Sequence, residues 1–352
     1  MLHTVSLKAI DLLKSLIETP SYSGQEEQSA ALIEQWLKAF DVVTHRIKNN
    51  IWATNKYFNP NKPSILLNSH HDTVRPNSAY TRPPFSAQIE EGKLFGLGSN
   101  DAGGCLVSLL ATFVMFHKRE QLKYNLVLAA SAEEENGGSN GLESLLPRLP
   151  TIDFAIVSEP TGMQMAIAEK GLLVIDADAQ GLAGHAAHKN SENAIYKAIK
   201  DIEWLRQCAF PLSSETLNEV SISITQIEAG SQHNVVPGNC HFVVDVRVNE
   251  LYSLEDVFHY LDTHTQSTFK ARSFRNTPSS ISPSHPIVVA GKRLGLSCFG
   301  SSTLSDQVLL TCSSIKIGPG ESKRSHQADE YIYLSEVDEG ITGFIKLLEE
   351  II

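Results

Sequence analysis

The sequence has few cysteines, and they are spread widely. The five lie far apart along the chain, at Cys105, Cys208, Cys240, Cys298 and Cys312. A disulfide framework and a thiolate zinc site both need cysteines at short, regular spacings, so neither is indicated. The sequence therefore predicts reduced, mostly structural thiols.

The chain also lacks an excess of positive charge. It has 29 lysines and arginines against 40 acidic residues, which gives a net charge of −11, and it contains no basic stripe. A nucleic-acid-binding protein normally has the opposite balance. We therefore expect no nucleic-acid partner.

No apolar run is long enough to indicate a membrane span. The longest extends from Cys105 to Phe116 and is interrupted by Ser108 and Thr112, whereas crossing a bilayer takes about 20 apolar residues. The first residues also lack the basic, apolar and small-residue segments of a secretory signal. We expect a cytoplasmic protein without a membrane partner.

What the sequence does contain is typical of a folded protein with more than one domain. Its 352 residues are 42% hydrophobic and 20% charged, and single cores rarely grow beyond about 250 to 300 residues. Apolar runs of strand length at Ser64–Leu67 and Asn125–Ala130 flank a helical pattern at Gly103–Phe116. Strands that alternate with helices predict an α/β layered domain.

The pattern of apolar residues along the sequence changes twice. From about Gly162 the apolar residues alternate along longer segments, with helical patterns at Ala194–Cys208 and Leu254–Phe269, which predicts a separate α+β domain. A segment rich in Ser and Pro, Ser273–Pro286, follows, and the pattern of strands alternating with helices then resumes. The expected organisation is a catalytic domain in two parts, 1–165 and 279–352, with an inserted domain at 166–278.

Histidine and acidic residues follow the predicted strands of the first domain. His70 and Asp72 come directly after one strand, and side chains two residues apart on an extended chain point the same way. Asp101 lies in a glycine-dense loop that enters the long helix. It is either a functional acid or a simple helix N-cap, and the sequence leaves both open.

Further candidates lie after later strands, at Glu133–Glu135, Glu159 and His326. Three adjacent carboxylates repel one another unless a cation or a raised pKa relieves them, although a solvated acidic turn is the alternative. Because the carboxyl ends of parallel strands line one crevice, we expect these groups to converge. Two imidazoles and several carboxylates suit zinc or a related divalent ion, with enough acids for two ions and a free base.

The motifs that carry these residues resemble the M20 family of co-catalytic zinc hydrolases. The resemblance covers essentially the whole chain, and its pieces occur in the family's order. They are Ser69-His70-His71-Asp72-Thr73-Val74, Gly98-Ser99-Asn100-Asp101-Ala102-Gly103-Gly104, Ser131-Ala132-Glu133-Glu134-Glu135-Asn136-Gly137-Gly138, Ser158-Glu159-Pro160-Thr161, Gly184-His185-Ala186-Ala187-His188, Asn234-Val235-Val236-Pro237 and the loop from Gly318 to His326.

The resemblance implies a zinc-aminopeptidase-like, three-layer catalytic domain with an inserted α+β sandwich that serves as lid or dimerisation domain. It also implies two divalent metal ions, most simply Zn²⁺ with Co²⁺ or Mn²⁺ as alternatives, and a homodimer. The implied ligands are Asp101 as the bridge between the ions, His70 and Glu159 for one ion, and Glu135 and His326 for the other. Asp72 would orient His70.

The remaining implied roles concern catalysis and substrate binding. Glu134 would be the general base, and a one-residue slip that makes Glu133 the base is the alternative. A cis peptide is expected after Asp101, and His185 would stabilise the oxyanion, commonly from the partner subunit. The expected substrate contacts are Asn234, Arg247 and Gly320; for Arg247, the alternative is a salt bridge with Asp245 or Asp256.

The loop before the last strand bears on the substrate. Diaminopimelate desuccinylases of the family tend to carry Gly-Thr-Ser-Asp-Gly-Arg there, whereas this chain reads Ser302-Thr303-Leu304-Ser305-Asp306-Gln307 and lacks the arginine. The loop looks more like that of acetylornithine deacetylases. The sequence therefore predicts hydrolysis of an Nα-acyl-ornithine, acetylated or succinylated, in arginine biosynthesis. The alternatives are a succinyl-diaminopimelate desuccinylase and another acylase or dipeptidase of the family.

Overall fold

The structure is a computed structural model, and it describes residues 2–352. The strands in this range are β1 (His45–Ile47), β2 (Asn50–Thr54), β3 (Ser64–His70), β4 (Gln88–Glu90), β5 (Lys93–Phe95), β6 (Asn125–Ser131), β7 (Phe154–Val157), β8 (Met165–Glu169), β9 (Gly171–Gln180), β10 (Gly184–His185), β11 (Ser221–Ala229), β12 (Val235–Val236), β13 (Asn239–Val248), β14 (Thr268–Ala271), β15 (Ser279–Ser280), β16 (Cys298–Ser301), β17 (Ser313–Lys316) and β18 (Tyr331–Tyr333). The helices are α1 (Leu2–Ile17), α2 (Glu27–Lys38), α3 (Gly104–His117), α4 (Leu142–Leu145), α5 (Ala194–Gln207), α6 (Leu254–His264), α7 (Pro286–Arg293) and α8 (Leu334–Glu349).

The chain divides into two compact units. The first contains the residues up to Ile167 together with Ile281–Phe299 and Ser305–Ile352. The second contains Ala168–Ser280 and the short segment Gly300–Leu304. The second unit is therefore built from sequence that interrupts the first.

The first unit is organised around a mixed sheet with the strand order β1-β2-β6-β3-β7-β17-β8. The four central strands, β6, β3, β7 and β17, run parallel to one another, and the neighbours on either side are antiparallel. The central strands therefore end at the same edge of the sheet. This edge carries the candidate site.

Both faces of this sheet are covered, which explains why its central strands are apolar throughout. On β3, Ile65 and Leu67 belong to the large core that includes residues of α1, α3 and α8. Leu66 points to the other face and packs in a smaller core with Leu142 and Leu145 of α4. The predicted α/β class is confirmed.

The segment Ser99–His117, which includes α3, is long and apolar enough to cross a membrane by length and composition alone, and 83% of it is buried inside the protein. Among the described residues it is the one segment with these properties. Its burial is that of a core helix.

The second unit contains an antiparallel sheet with the order β11-β13-β9-β14. Alternate residues of β9 are buried, and they pack against residues of α5 and α6. The predicted helix Leu254–Phe269 is too long. The helix ends at His264, because Asp201 accepts hydrogen bonds from the backbone amides of Gln266 and Ser267, and the residues that follow pair with β9.

The core of the first unit gives a prediction about stability. Leu110 in α3 is fully buried, whereas Leu7 in α1 is half exposed. We expect Leu110→Ala to lower the free energy of unfolding by about 2–5 kcal/mol through lost burial and a cavity, and Leu7→Ala to lower it by less than about 1 kcal/mol. Urea unfolding in a Trp204→Phe background, where Trp36 and Trp52 report on the first unit, measures both. Equal losses would contradict the assigned core.

Candidate metal centre

The candidate site lies where the parallel strands end. His70 is the last residue of β3, and the turn with Glu134 and Glu135 follows β6. Glu159 follows β7, and His326 lies in the loop after β17. The structure brings these groups together, as expected for residues at one edge of a parallel sheet.

Asp101 lies between the two histidines. Its Oδ1 is 3.4 Å from Nε2 of His70, and its Oδ2 is 3.6 Å from Nε2 of His326. A carboxylate that presents one oxygen to each imidazole has the geometry of a bridging ligand.

A further carboxylate lies beside each of the two histidines. Glu159 Oε1 lies 3.7 Å from Nε2 of His70, and Glu135 Oε2 lies 3.0 Å from Nε2 of His326. The potential ligand atoms of each trio, His70 with Asp101 and Glu159, and Asp101 with Glu135 and His326, lie within 4.8 Å of one another. Oε1 of Glu159 is also buried without a hydrogen-bond partner.

These donors fit divalent cations. Imidazole nitrogens and carboxylate oxygens are ligands that zinc and related ions accept. A buried carboxylate oxygen without a partner is costly unless a cation or proton satisfies it. The residues present could therefore hold two ions that share Asp101.

The titration behaviour of the cluster reflects its crowded charges. Burial lowers the pKa of His70, but hydrogen bonds with Asp101 and Asp72 outweigh it, so this pKa is raised well above its usual value. Burial raises the pKa of Glu159 to about 8 and that of Glu134 well above its usual range. The hydrogen bond with Glu135 raises the pKa of His326 to about 9. Glu134 and Glu159 thus tend to take up protons, and the two imidazoles tend to keep theirs, which is how a cluster compensates charge that a cation would otherwise balance.

Asp72 contacts three parts of the site. Its carboxylate lies 3.4 Å from Nδ1 of His70, and it also accepts hydrogen bonds of 3.1 Å from the backbone amides of Glu134 and Glu135. It accepts a further bond of 2.7 Å from Oγ of Ser23. One buried carboxylate therefore fixes two loops of the site.

The segment before α2 serves the same turn. The Ser-x-x-Glu spacing of Ser23 and Glu26 is typical of a capping box, which would predict a helix start at Ser23. That prediction is wrong, because α2 begins at Glu27 without a side-chain cap. The Glu26 carboxylate instead accepts bonds from the amides of Gly24 and Glu133, and Ser23 bonds to Asp72.

The two candidate bases, Glu133 and Glu134, differ in their contacts. The Glu133 carboxylate accepts hydrogen bonds from the backbone and side-chain amides of Asn140, at 3.1 and 2.9 Å. Glu134 instead points to the cluster, with Oε2 4.0 Å from Nε2 of His70. The geometry favours Glu134 over Glu133.

Two backbone features lie beside the ligands. The peptide between Asp101 and Ala102 is cis, as expected. Gly320 has a φ of +83°, and a Cβ there would lie 2.4 Å from Oδ1 of Asn100. Only glycine therefore allows this close approach of the loop, while the predicted substrate contact at Gly320 stays a prediction.

The other predicted residues belong to the second unit. His185 pairs with Val235 between β10 and β12, and the Asn234 carbonyl accepts a hydrogen bond from the amide of Ala186, so these residues are neighbours. Arg247 forms a two-pronged salt bridge with Asp245, at 2.8 and 3.1 Å. This is the alternative considered for Arg247, and its substrate role stays a prediction.

Sequence reasoning missed two buried acids of the first unit. Asp306 accepts a 2.5 Å hydrogen bond from Oγ of Ser131, and burial raises its pKa to about 6. Glu330 accepts hydrogen bonds from backbone amides of the loop that carries Asp101. Neither has a periodic signal, although Glu330 lies only four residues after His326.

Comparison with known proteins identifies the family. The sequence profile of peptidase family M20/M25/M40 matches residues 66–350, which is most of the chain. The chain belongs to this family and is an M20 family hydrolase.

The individual relatives share only a small fraction of their residues with this chain. The chain is 22% identical to succinyl-diaminopimelate desuccinylase 2 of Ruegeria sp. (strain TM1040), over 97% of this chain and 94% of the relative. Its fold is similar to that of the M20 family metallo-carboxypeptidase Sso-CP2 from Sulfolobus solfataricus, with a TM-score of 0.77, 18% identity and coverage of 97% and 98%. It is also similar to the Bacillus subtilis YXEP protein, a dinuclear metal binding peptidase, with a TM-score of 0.76, 15% identity and coverage of 98% of both chains.

The two trios predict the metal content. We expect the fully loaded protein to hold two divalent ions per chain and His326→Ala to hold one, because Glu135 and the bridging Asp101 alone make an incomplete set. His259→Ala, at an exposed histidine of the second unit, is the matched control and should hold two. Elemental analysis after loading with Zn²⁺ and desalting measures this. Two ions retained by His326→Ala would contradict the assignment.

Proposed function

We propose that the protein is a metal-dependent amidohydrolase that cleaves the linear amide of an N-acyl diamino acid. The observation that carries this proposal is the shared position of Asp101 between two imidazole-carboxylate pairs, with Glu134 beside them. The ligands we propose are His70, Asp101 and Glu159 for one ion, and Asp101, Glu135 and His326 for the other. Their N/O chemistry favours Zn²⁺, with Co²⁺ as an alternative.

When bound, the ions supply Lewis acidity, which makes a water molecule acidic near neutral pH and polarises an amide carbonyl. Glu134 is the proposed base. Among the described residues none donates a hydrogen bond to its carboxylate, and its Oε2 lies 4.0 Å from Nε2 of His70, so it is available to take a proton from water. It then delivers that proton to the departing amine nitrogen.

Other residues of the chain have supporting roles in this proposal. Asp72 contacts both His70 and the turn that carries Glu134, and so fixes the position of the ligand relative to the base. We propose His185 as an oxyanion donor, and Asn234, Arg247 and Gly320 as substrate contacts. The motif resemblance supports these roles, and Arg247 would have to exchange Asp245 for a substrate carboxylate. A homodimer is proposed on the same resemblance.

Two substrates are supported by different observations. Relatives named succinyl-diaminopimelate desuccinylase, at 22–26% identity, favour an N-succinyl-diaminopimelate. The loop at 302–307, which lacks the arginine typical of those enzymes, favours an N-acetyl- or N-succinyl-ornithine. The similarity to the relatives extends over most of the chain, whereas the loop is a short segment. We therefore take N-succinyl-diaminopimelate as the leading substrate.

A substrate panel separates these candidates. Purified protein loaded with Zn²⁺ is assayed for release of free amino acid from succinyl-diaminopimelate, succinyl-ornithine, acetyl-ornithine and dipeptides. The highest kcat/KM is expected for succinyl-diaminopimelate. A preference for acylated ornithines would establish the second candidate, and cleavage of dipeptides alone would contradict both.

The role of Glu134 is tested with its neighbour as control. We expect Glu134→Gln to lower kcat by about 10²–10⁴-fold, because the amide cannot accept the proton, while the protein still binds two ions. Glu133→Gln changes a carboxylate that is bonded to Asn140, so we expect a loss of less than about tenfold. Steady-state kinetics on the best panel substrate measure both. Unchanged turnover in Glu134→Gln would eliminate it as the base.

A further inference from the structure

Glu330 is a buried acid that belongs to none of the ligand trios. Its side chain is 2% exposed, and it lies four residues after His326, directly before β18. We propose that Glu330 is a positioning residue that fixes the backbone at Asp101 and thereby sets the affinity of the site for both ions. This inference rests on the proposed function, because it gives Asp101 the role of shared ligand.

The contacts of Glu330 are concentrated on one loop. Its Oε1 accepts hydrogen bonds from the backbone amides of Asn100 and Asp101, at 2.8 and 2.9 Å. Its Oε2 accepts one of 3.1 Å from the amide of Gly98, and its own carbonyl accepts one of 2.9 Å from the amide of Gly96. A single residue therefore holds four amide groups in a stretch of six residues.

These amides need an acceptor. They lie in the segment before α3, and Asn100 is completely buried, so water does not replace the bonds. Loss of the acceptor would leave buried donors unpaired and allow the loop to shift.

Such a shift would reach both ions. Asp101 contributes Oδ1 to the trio of His70 and Oδ2 to the trio of His326, so a displaced Asp101 backbone misplaces a ligand of each. The segment with Glu330 is itself anchored, since Asp329 accepts bonds of 2.9 Å from the amides of Thr81 and Arg82. Glu330 therefore connects a fixed segment to the bridging ligand.

Glu330 acts through Asp101 and does not face the substrate. Both of its carboxylate oxygens accept hydrogen bonds from backbone amides. Its role is therefore to support the loop that carries Asp101. A test must therefore separate weaker metal binding from a general loss of stability.

The test compares Glu330→Gln with Asp201→Asn in the full chain. Each variant replaces one buried carboxylate that accepts backbone amides with an amide of nearly equal size, and Asp201 does this in the second unit, for Gln266 and Ser267. In Glu330→Gln the new NH₂ group faces a backbone N–H, so at least one bond is lost. Titration calorimetry with Zn²⁺ alone and hydrogen exchange of the metal-free proteins are measured for both, alongside melting temperatures.

We expect Glu330→Gln to weaken Zn²⁺ binding by about tenfold or more, the usual effect of losing a residue that supports a ligand. Exchange of the peptide covering 97–104 should be faster than in the unchanged protein. Asp201→Asn should keep the Zn²⁺ affinity and the protection of 97–104, even if it melts earlier. Conversely, we expect the 265–268 region to lose protection only in Asp201→Asn.

The proposal is overturned if Glu330→Gln keeps its Zn²⁺ affinity, or if both variants lose affinity equally, since the effect would then be general. If the unchanged protein binds no divalent ion, the proposed function fails. The exchange of 97–104 in the metal-free variants then decides separately whether Glu330 holds the loop, and unaltered protection would overturn the proposal on its own.

Discussion

The organisation of the first unit depends on balancing the charge of several acids that converge at one sheet edge. Asp101, Glu134, Glu135 and Glu159 gather around His70 and His326, and burial, reinforced by the neighbouring carboxylates, raises the pKa of Glu134 and that of Glu159. A cluster of this kind is stable only when protons, imidazolium groups or cations compensate it. Two metal ions that share Asp101, as proposed, would balance these charges.

A layer of buried acids and amides around the ligands holds them in place. Asp72 accepts bonds from the Glu134 and Glu135 amides, Glu26 from that of Glu133, and Glu330 from those of the Asp101 loop. In each case a carboxylate accepts a backbone N–H, which fixes main chain instead of competing for a cation. The acids near the site thus divide into those whose carboxylates face the histidines of the cluster and those whose oxygens accept hydrogen bonds from the backbone.

The sequence predicts much of this arrangement because its apolar runs show where the strands end. Runs such as Asn125–Ala130 end in the structure at Ser131, and His70 and Glu159 lie at or after the ends of β3 and β7. Its failures have physical reasons. The Ser23–Glu26 spacing is typical of a helix cap but serves Asp72 and the Glu133 turn, and the helix from Leu254 ends early because Asp201 binds the amides that would continue it.

By itself the sequence determined the α/β class, the family and the six ionisable groups of the cluster, because these follow from hydrophobic periodicity and from motifs local in the chain. Only the tertiary structure shows what each of these side chains contacts. Glu133 bonds to Asn140 while Glu134 faces His70, Arg247 pairs with Asp245, and Glu330 reaches the loop of Asp101 across 229 residues of sequence. The direction of a side chain depends on contacts between distant segments, and the residues next to it in sequence do not encode them.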